Sequence, residues 1–248
     1  MKDNILVAQG VGMKFGAFVA LNGVTVSFQR NRLAAIIGPN GAGKTTFFNV
    51  ISGALRPSSG RVSFEGRDIT GLAQHDYARM GIAKSFQITN VFPQLTAHEN
   101  VRVALQMKRT CFNMWTPRAS YRELIEQADA LLERVGIAAR RAATAQDLAH
   151  GEQRCLEIAM ALACDPRLLL LDEPTAGMSP EETTLMMGLI VKLAAERTVI
   201  LVEHKMKLVM GICQRLVVLH HGEFLAEGTP EEIRNNDEVK RVYLGQEA

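Results

Sequence analysis

From Ile5 to Phe28, apolar and polar positions alternate in short stretches rich in valine and phenylalanine, interrupted by Gly12, Gly16 and Gly23. A period of two with glycine interruptions predicts strands joined by turns. The pattern then changes. Ala34–Ile37 is an unbroken apolar run, as in a strand buried on both faces; a glycine-rich loop follows, and then an apolar segment, Thr45–Ile51, that suits a helix. Leu168–Leu171 and Thr198–Val202 repeat the buried-strand pattern. Between them Ser179-Pro180-Glu181-Glu182 predicts a helix start, with serine as N-cap, proline at the first helical position and glutamate at the third. Buried strands alternating with helices predict an α/β fold built on a parallel sheet covered on both faces.

From about Gln94 to Ala163 the reading is mostly helical, and Tyr121–Val135 carries Leu124, Ala128, Leu131, Leu132 and Val135 on one stripe. We read this as a helical subdomain, residues 94–163, inserted into a core made of residues 1–93 and 164–248. The weakly periodic segment Lys108–Pro117, with the lone Trp115, is read as a loop or short helix. Leu216–Leu219 and Glu223–Ala226 flank His220-His221-Gly222 and predict a hairpin. Thr229-Pro230-Glu231-Glu232 repeats the cap, proline and glutamate order and opens a last helix.

Composition narrows the class. The 248 residues are 47% hydrophobic and 22% charged, which excludes a disordered or fibrous chain. Lys plus Arg at 28 against Asp plus Glu at 26 leaves a net charge of +2, too small to point to a polyanion partner or to exclude one. Cys111, Cys155, Cys164 and Cys213 form no CxxC pair and have no histidine at zinc-ligand spacing, so reduced structural thiols are expected. No secretory signal follows Met1-Lys2-Asp3-Asn4, and no apolar run approaches the ~18 residues of a membrane span. Any work at a membrane is therefore expected to go through a partner that spans it.

Gly38-Pro39-Asn40-Gly41-Ala42-Gly43-Lys44-Thr45 fits G-x-x-x-x-G-K-[ST] between a buried strand and a helix. A random sequence of this length would carry the pattern roughly three times in a thousand. Glycines let backbone N–H groups curl around phosphate oxygens, and the helix beginning at Lys44 adds its positive dipole end. Lys44 is then expected on the β- and γ-phosphates and the Thr45 hydroxyl on magnesium, with Thr46 beside it. A second carboxylate should stand at the end of a neighbouring buried strand. Leu168-Leu169-Leu170-Leu171-Asp172-Glu173 supplies it, with Asp172 for the magnesium shell and Glu173 as general base toward the attacking water.

In order along nearly the whole chain, these motifs resemble the nucleotide-binding subunits of ATP-binding cassette transporters. Ser85-Phe86-Gln87 resembles the glutamine loop, which implies that Gln87 touches magnesium and the attacking water. Leu148-Ala149-His150-Gly151-Glu152 stands in the place of the family's Leu-Ser-Gly-Gly-Gln signature, which implies phosphate contacts from Ala149, His150, Gly151 and Glu152. His204 corresponds to the switch histidine at the γ-phosphate, and Phe15 to the aromatic residue that stacks on adenine. The chain departs from the pattern at the signature, whose serine is Ala149 and whose following glycine is His150, and after the Asp172-Glu173 segment, where the usual aspartate is Ser179.

The resemblance implies a P-loop NTPase core with an N-terminal antiparallel β subdomain and an inserted helical subdomain, acting on ATP with Mg2+. It implies a head-to-tail dimer with a second ATPase, homologous or identical, permease subunits reached through the region 88–106 and the helical insertion, no nucleic-acid partner, and a peripheral place on the cytoplasmic face of the inner membrane. Glu203-His204-Lys205-Met206-Lys207, the closing Val242-Tyr243-Leu244-Gly245 and the Leu-Ala start of the signature are similar to branched-chain amino acid importers. Urea importers, the lipopolysaccharide exporter and the iron–sulfur assembly ATPase are the alternatives. Soluble relatives in DNA repair or translation carry a coiled-coil insertion or two cassettes, and this chain has neither.

Overall fold

The computed structural model describes residues 3–85, 91–108 and 122–244. The chain forms two compact units, one of Met1–Lys84, Arg167–Pro174 and Ile190–Ala248, the other of Ser85–Pro166 and Thr175–Leu189.

Two sheets build the first unit. β1 (Asn4–Phe15) and β2 (Phe18–Gln29) pair antiparallel from Asn4 opposite Gln29 to Phe15 opposite Phe18, and β4 (Ser59–Phe64) and β5 (Arg67–Asp68) complete a sheet of order β2-β1-β4-β5. Of the three glycines read as turn markers, only Gly16 lies in the turn. Gly12 and Gly23 lie inside long strands, and Gly12 is where β4 passes so close that a Cβ would fall 2.5 Å from Ser59 Oγ. The second sheet has the order β10-β9-β3-β8-β7-β6. Its central strands β3 (Leu33–Ile37), β7 (Leu168–Asp172) and β8 (Thr198–Val202) are buried at every residue, which is why they read as unbroken apolar runs. β6 (Ile82–Lys84) and β9 (Arg215–His220) extend the parallel set, and β10 (Glu223–Gly228) returns antiparallel as the expected hairpin.

Helix α1 (Lys44–Ile51) buries Phe47, Phe48, Val50 and Ile51 in the core, where each large side chain stabilises by roughly 1.5–3 kcal/mol. Between α1 and β6, where the sequence pattern predicts no element, the structure has β4, β5 and α2 (Gln74–Arg79), with the buried Tyr77 hydroxyl donating to the Ile69 carbonyl at 3.1 Å. After β8 come α7 (Met206–Ile212), α8 (Pro230–Asn235) and α9 (Asp237–Leu244). Thr229 caps α8 as expected, its hydroxyl accepting from the Glu232 N–H at 3.3 Å.

The second unit is helical, with α3 (Ala97–Lys108), α4 (Arg122–Arg134), α5 (His150–Leu162) and the first part of α6 (Pro180–Ala194). Of the expected stripe on α4, Leu124, Ala128, Leu132 and, beyond its end, Val135 are buried, while Leu131 is only half-buried. Most of the Lys108–Pro117 segment, with Cys111 and Trp115, lies outside the described residues.

Candidate active site

The phosphate loop joins β3 to α1, and its shape depends on two glycines. At Gly38 (φ +152°) a Cβ would lie 2.2 Å from the Leu219 carbonyl oxygen of β9. At Gly43 (φ +91°), the N-cap of α1, it would lie 2.9 Å from the Ala20 carbonyl oxygen. Side chains at either position would push the loop off its neighbours. Lys44 is buried, and its ammonium donates to the carbonyls of Gly38 (2.7 Å) and Pro39 (2.8 Å). Burial lowers its pKa, and Glu173 opposes that shift. The loop's own carbonyls thus satisfy the buried ammonium.

A cavity of about 350 Å3 opens over this loop, lined by Asn40, Gly41, Ala42, Gly43, Lys44, Thr45 and Thr46, with Phe18 and His204 at its sides. Its size falls within the ~300–1,000 Å3 of small-molecule sites. Phe15 ends β1 directly opposite Phe18, and the two are 47% and 67% exposed, so neither serves as a core side chain. Phe18 was missed in the sequence; the signal was a second aromatic residue across the Gly16 turn.

At the end of β7, Asp172 is buried and Glu173 turns into the left-handed region (φ +45°), its N–H donating to the Val202 carbonyl at 3.0 Å. Such a conformation costs about 1–3 kcal/mol in a residue with a side chain, and it turns the chain out of the strand at this point. Glu173 Oε1 meets His204 Nε2 at 2.5 Å. The structure thus brings Lys44, Thr45, Asp172, Glu173 and His204 to one edge of the sheet. Gln87 lies outside the described residues.

In the helical unit, Ala149 is the N-cap of α5 and Glu152 Oε2 accepts its N–H at 2.9 Å; alanine has no oxygen to return the bond. His150 Nε2 lies 3.0 Å from the Ala176 carbonyl oxygen. Ser179 and Glu182 form the reciprocal cap of α6, at 2.9 and 3.2 Å, and these bonds hold the Glu182 carboxyl below its usual pKa. A Cβ at Gly151 would come within 2.6 Å of Glu182 Oε1. The serine that departs from the family pattern therefore caps α6, as its place before Pro180 predicts, and Glu182, the glutamate read at the third helical position, also lies against the signature glycine.

A family model described as ABC transporter matches residues 21–176, from β2 through the phosphate loop and the signature to the segment after Glu173. The chain belongs to the ABC transporter family. It is an ATP-binding, ATP-hydrolysing cassette of the α/β class. A second model, described as branched-chain amino acid ATP-binding cassette transporter, matches residues 225–248. The cassette is 43% identical to the high-affinity branched-chain amino acid transport ATP-binding protein BraF of Pseudomonas aeruginosa, over 99% of this chain and 100% of that protein. With LivG of Salmonella typhimurium, whose description is the same, identity is 41% over the same shares. Among solved structures, the ADP conformation of a transporter cassette superposes with a TM-score of 0.86 at 29% identity, covering 98% of this chain and 99% of that one. A dimeric cassette in a post-hydrolysis state, bound to ADP and Pi, gives 0.78 at 27% identity over 91% and 99%. Among the described residues no helix of the cassette is long and apolar enough to cross a membrane.

Proposed function

We propose that this cassette hydrolyses ATP to drive import of branched-chain amino acids through separate membrane subunits, from the cytoplasmic face of the inner membrane. The observation that carries the reading is full-length likeness to two branched-chain amino acid transport proteins, joined to the match at residues 225–248.

In this reading the N–H groups of the phosphate loop wrap the phosphates, and Lys44 leaves the Gly38 and Pro39 carbonyls to bind them, exchanging neutral acceptors for charged oxygens. The donor set beside the loop, an exposed Thr45 hydroxyl and the buried Asp172 carboxylate, is hard oxygen and suits magnesium. Magnesium there supplies charge neutralisation of the β- and γ-phosphate oxygens. Glu173 accepts the proton of the attacking water, and His204 holds Glu173 and the γ-phosphate side of the site. Gln87 belongs to the same site by sequence. Phe15 and Phe18 offer stacking surface to the adenine. The signature residues Ala149, His150, Gly151 and Glu152 act on the nucleotide of a second cassette, identical or homologous, in a head-to-tail dimer. The helical subdomain, residues 94–163, carries that signature.

The test is uptake of labelled leucine into vesicles containing the membrane subunits, with the cassette as wild type or Glu173→Gln. The reading requires co-purification of cassette and membrane subunits and ATP-driven uptake that the variant abolishes. Uptake that proceeds equally without the cassette overturns it.

A further inference from the structure

Lys84 ends β6, and none of the roles above uses it. β6 runs parallel to β7 with Lys84 in register with Leu170, so Lys84 shares a face of the sheet with Leu170 and, one pleat further on, Asp172. Helix α1 meets the lysine: Nζ donates to Asn49 Oδ1 at 2.6 Å and stands 5.2 Å from the centroid of the Phe48 ring. Asn49 lies one helical turn beyond Thr45, on the same side of α1. The ammonium therefore bridges the strand face that carries Asp172 and the helix face that carries Thr45.

A half-buried cation is costly to keep unless a charge compensates it. Asn49 and the Phe48 ring are neutral. Burial works against the charged form of Lys84, and Asp172 is the carboxylate that favours it. A neutral side chain of equal length would satisfy the packing at lower desolvation cost, so the charge itself calls for a function.

We propose that Lys84 is a resident counter-cation for Asp172, which neutralises the aspartate before the divalent ion arrives and limits how tightly the site then holds that ion. This rests on the assignment of Thr45 and Asp172 to magnesium. A dication entering beside Asp172 meets like charge from Lys84, so it binds less tightly than the aspartate alone would allow and leaves more readily with product.

The experiment is a titration of the full-length, ADP-loaded cassette with Mn2+, followed by electron paramagnetic resonance. Lys84→Met removes the charge at equal length, Lys84→Gln removes it but keeps an N–H donor for Asn49, and Lys84→Arg keeps it. Both neutral variants should hold Mn2+ more tightly by about tenfold, and the arginine variant should stay near wild type. If methionine prevents folding, glutamine decides alone. ADP binding without metal, read by a fluorescent analogue, stands apart from this result: a chain that binds no ADP fails as a nucleotide-binding cassette. A chain that binds ADP, but whose neutral variants hold Mn2+ no more tightly than wild type, overturns the role of Lys84.

Discussion

His204 Nε2 and Glu173 Oε1 lie 2.5 Å apart, a contact made between the ends of two neighbouring parallel strands. The left-handed backbone at Glu173 turns the chain out of β7 at the point where this contact forms. Glu173→Gln keeps the size of the side chain and an oxygen for His204 but cannot accept a proton from water. Turnover should fall by two to four orders of magnitude, roughly the scale of a general base, while Mg-ATP affinity changes little. His204→Ala should lose about two orders by freeing Glu173. Single-turnover hydrolysis and equilibrium nucleotide binding separate these effects, and turnover of the glutamine variant within a few-fold of wild type would place the base elsewhere.

Phe18 borders the phosphate-loop cavity at 67% exposure, an arrangement an apolar ring adopts at little gain unless something covers it. Phe18→Ala should weaken nucleotide binding by about 1–3 kcal/mol through lost stacking, with little change in preference between ATP and GTP, since both purines present a π-face. Phe15→Ala, across the turn, should cost no more than Phe18→Ala. Dissociation constants of both variants check this, and a larger loss for Phe15 would make it the principal stacking residue.

Legibility of the sequence followed burial geometry. β3, β7 and β8 were visible because a strand covered on both faces must be apolar throughout, and the phosphate loop because its glycines obey a fixed spacing. β6 was not. Its three residues, one of them charged, are a strand only because β7 pairs with them. α2 has six residues and a single buried side chain, Tyr77, too few to show a period. At the candidate site, Lys44, Asp172 and Glu173 announce themselves by motif, and His204 only through its place in the family's order of motifs. Phe18 and Lys84 take their places from a turn and a strand register, which no local pattern encodes.

The Tyr77 hydroxyl, buried and bonded to the Ile69 carbonyl, has its pKa pushed up from 10.0 to about 12 by desolvation first and by Asp68 second. The unfolded chain therefore loses this proton before the folded one. Its contribution is fully present below pH 10 and is lost as the pH climbs from there toward 12, amounting to ~3 kcal/mol at most. Tyr77→Phe gives up about 1 kcal/mol of hydrogen bond at neutral pH but also this titration. Urea midpoints should thus fall more steeply with pH in the wild type than in the variant above pH 10. Parallel curves would mean that the hydroxyl ionises as easily folded as unfolded.

Ala149 adopts φ −61° and ψ 158° at the start of α5, nearly the same backbone as Thr229 (φ −66°, ψ 159°) at the start of α8. Each is followed three residues on by a glutamate that accepts its N–H, Glu152 at 2.9 Å and Glu232 at 2.7 Å. At Thr229 the hydroxyl returns the bond; at Ala149 the methyl cannot, and half of the capping box is missing. Ala149→Ser should close it. The gain is about 0.5–2 kcal/mol for an N-cap hydroxyl, which for a chain of this size raises Tm by about 2–4 °C per kcal/mol. In the proposed head-to-tail dimer the same hydroxyl should add one hydrogen bond toward the partner's nucleotide, about 1 kcal/mol. Melting without nucleotide isolates the first effect. Sedimentation of the Glu173→Gln background with Mg-ATP isolates the second, because that variant is expected to hold ATP while turning it over only slowly. A serine that raises Tm but leaves the dimer unchanged confines its oxygen to the cap. A serine that tightens the dimer at constant Tm means that it faces the partner's phosphate and leaves α5 uncapped.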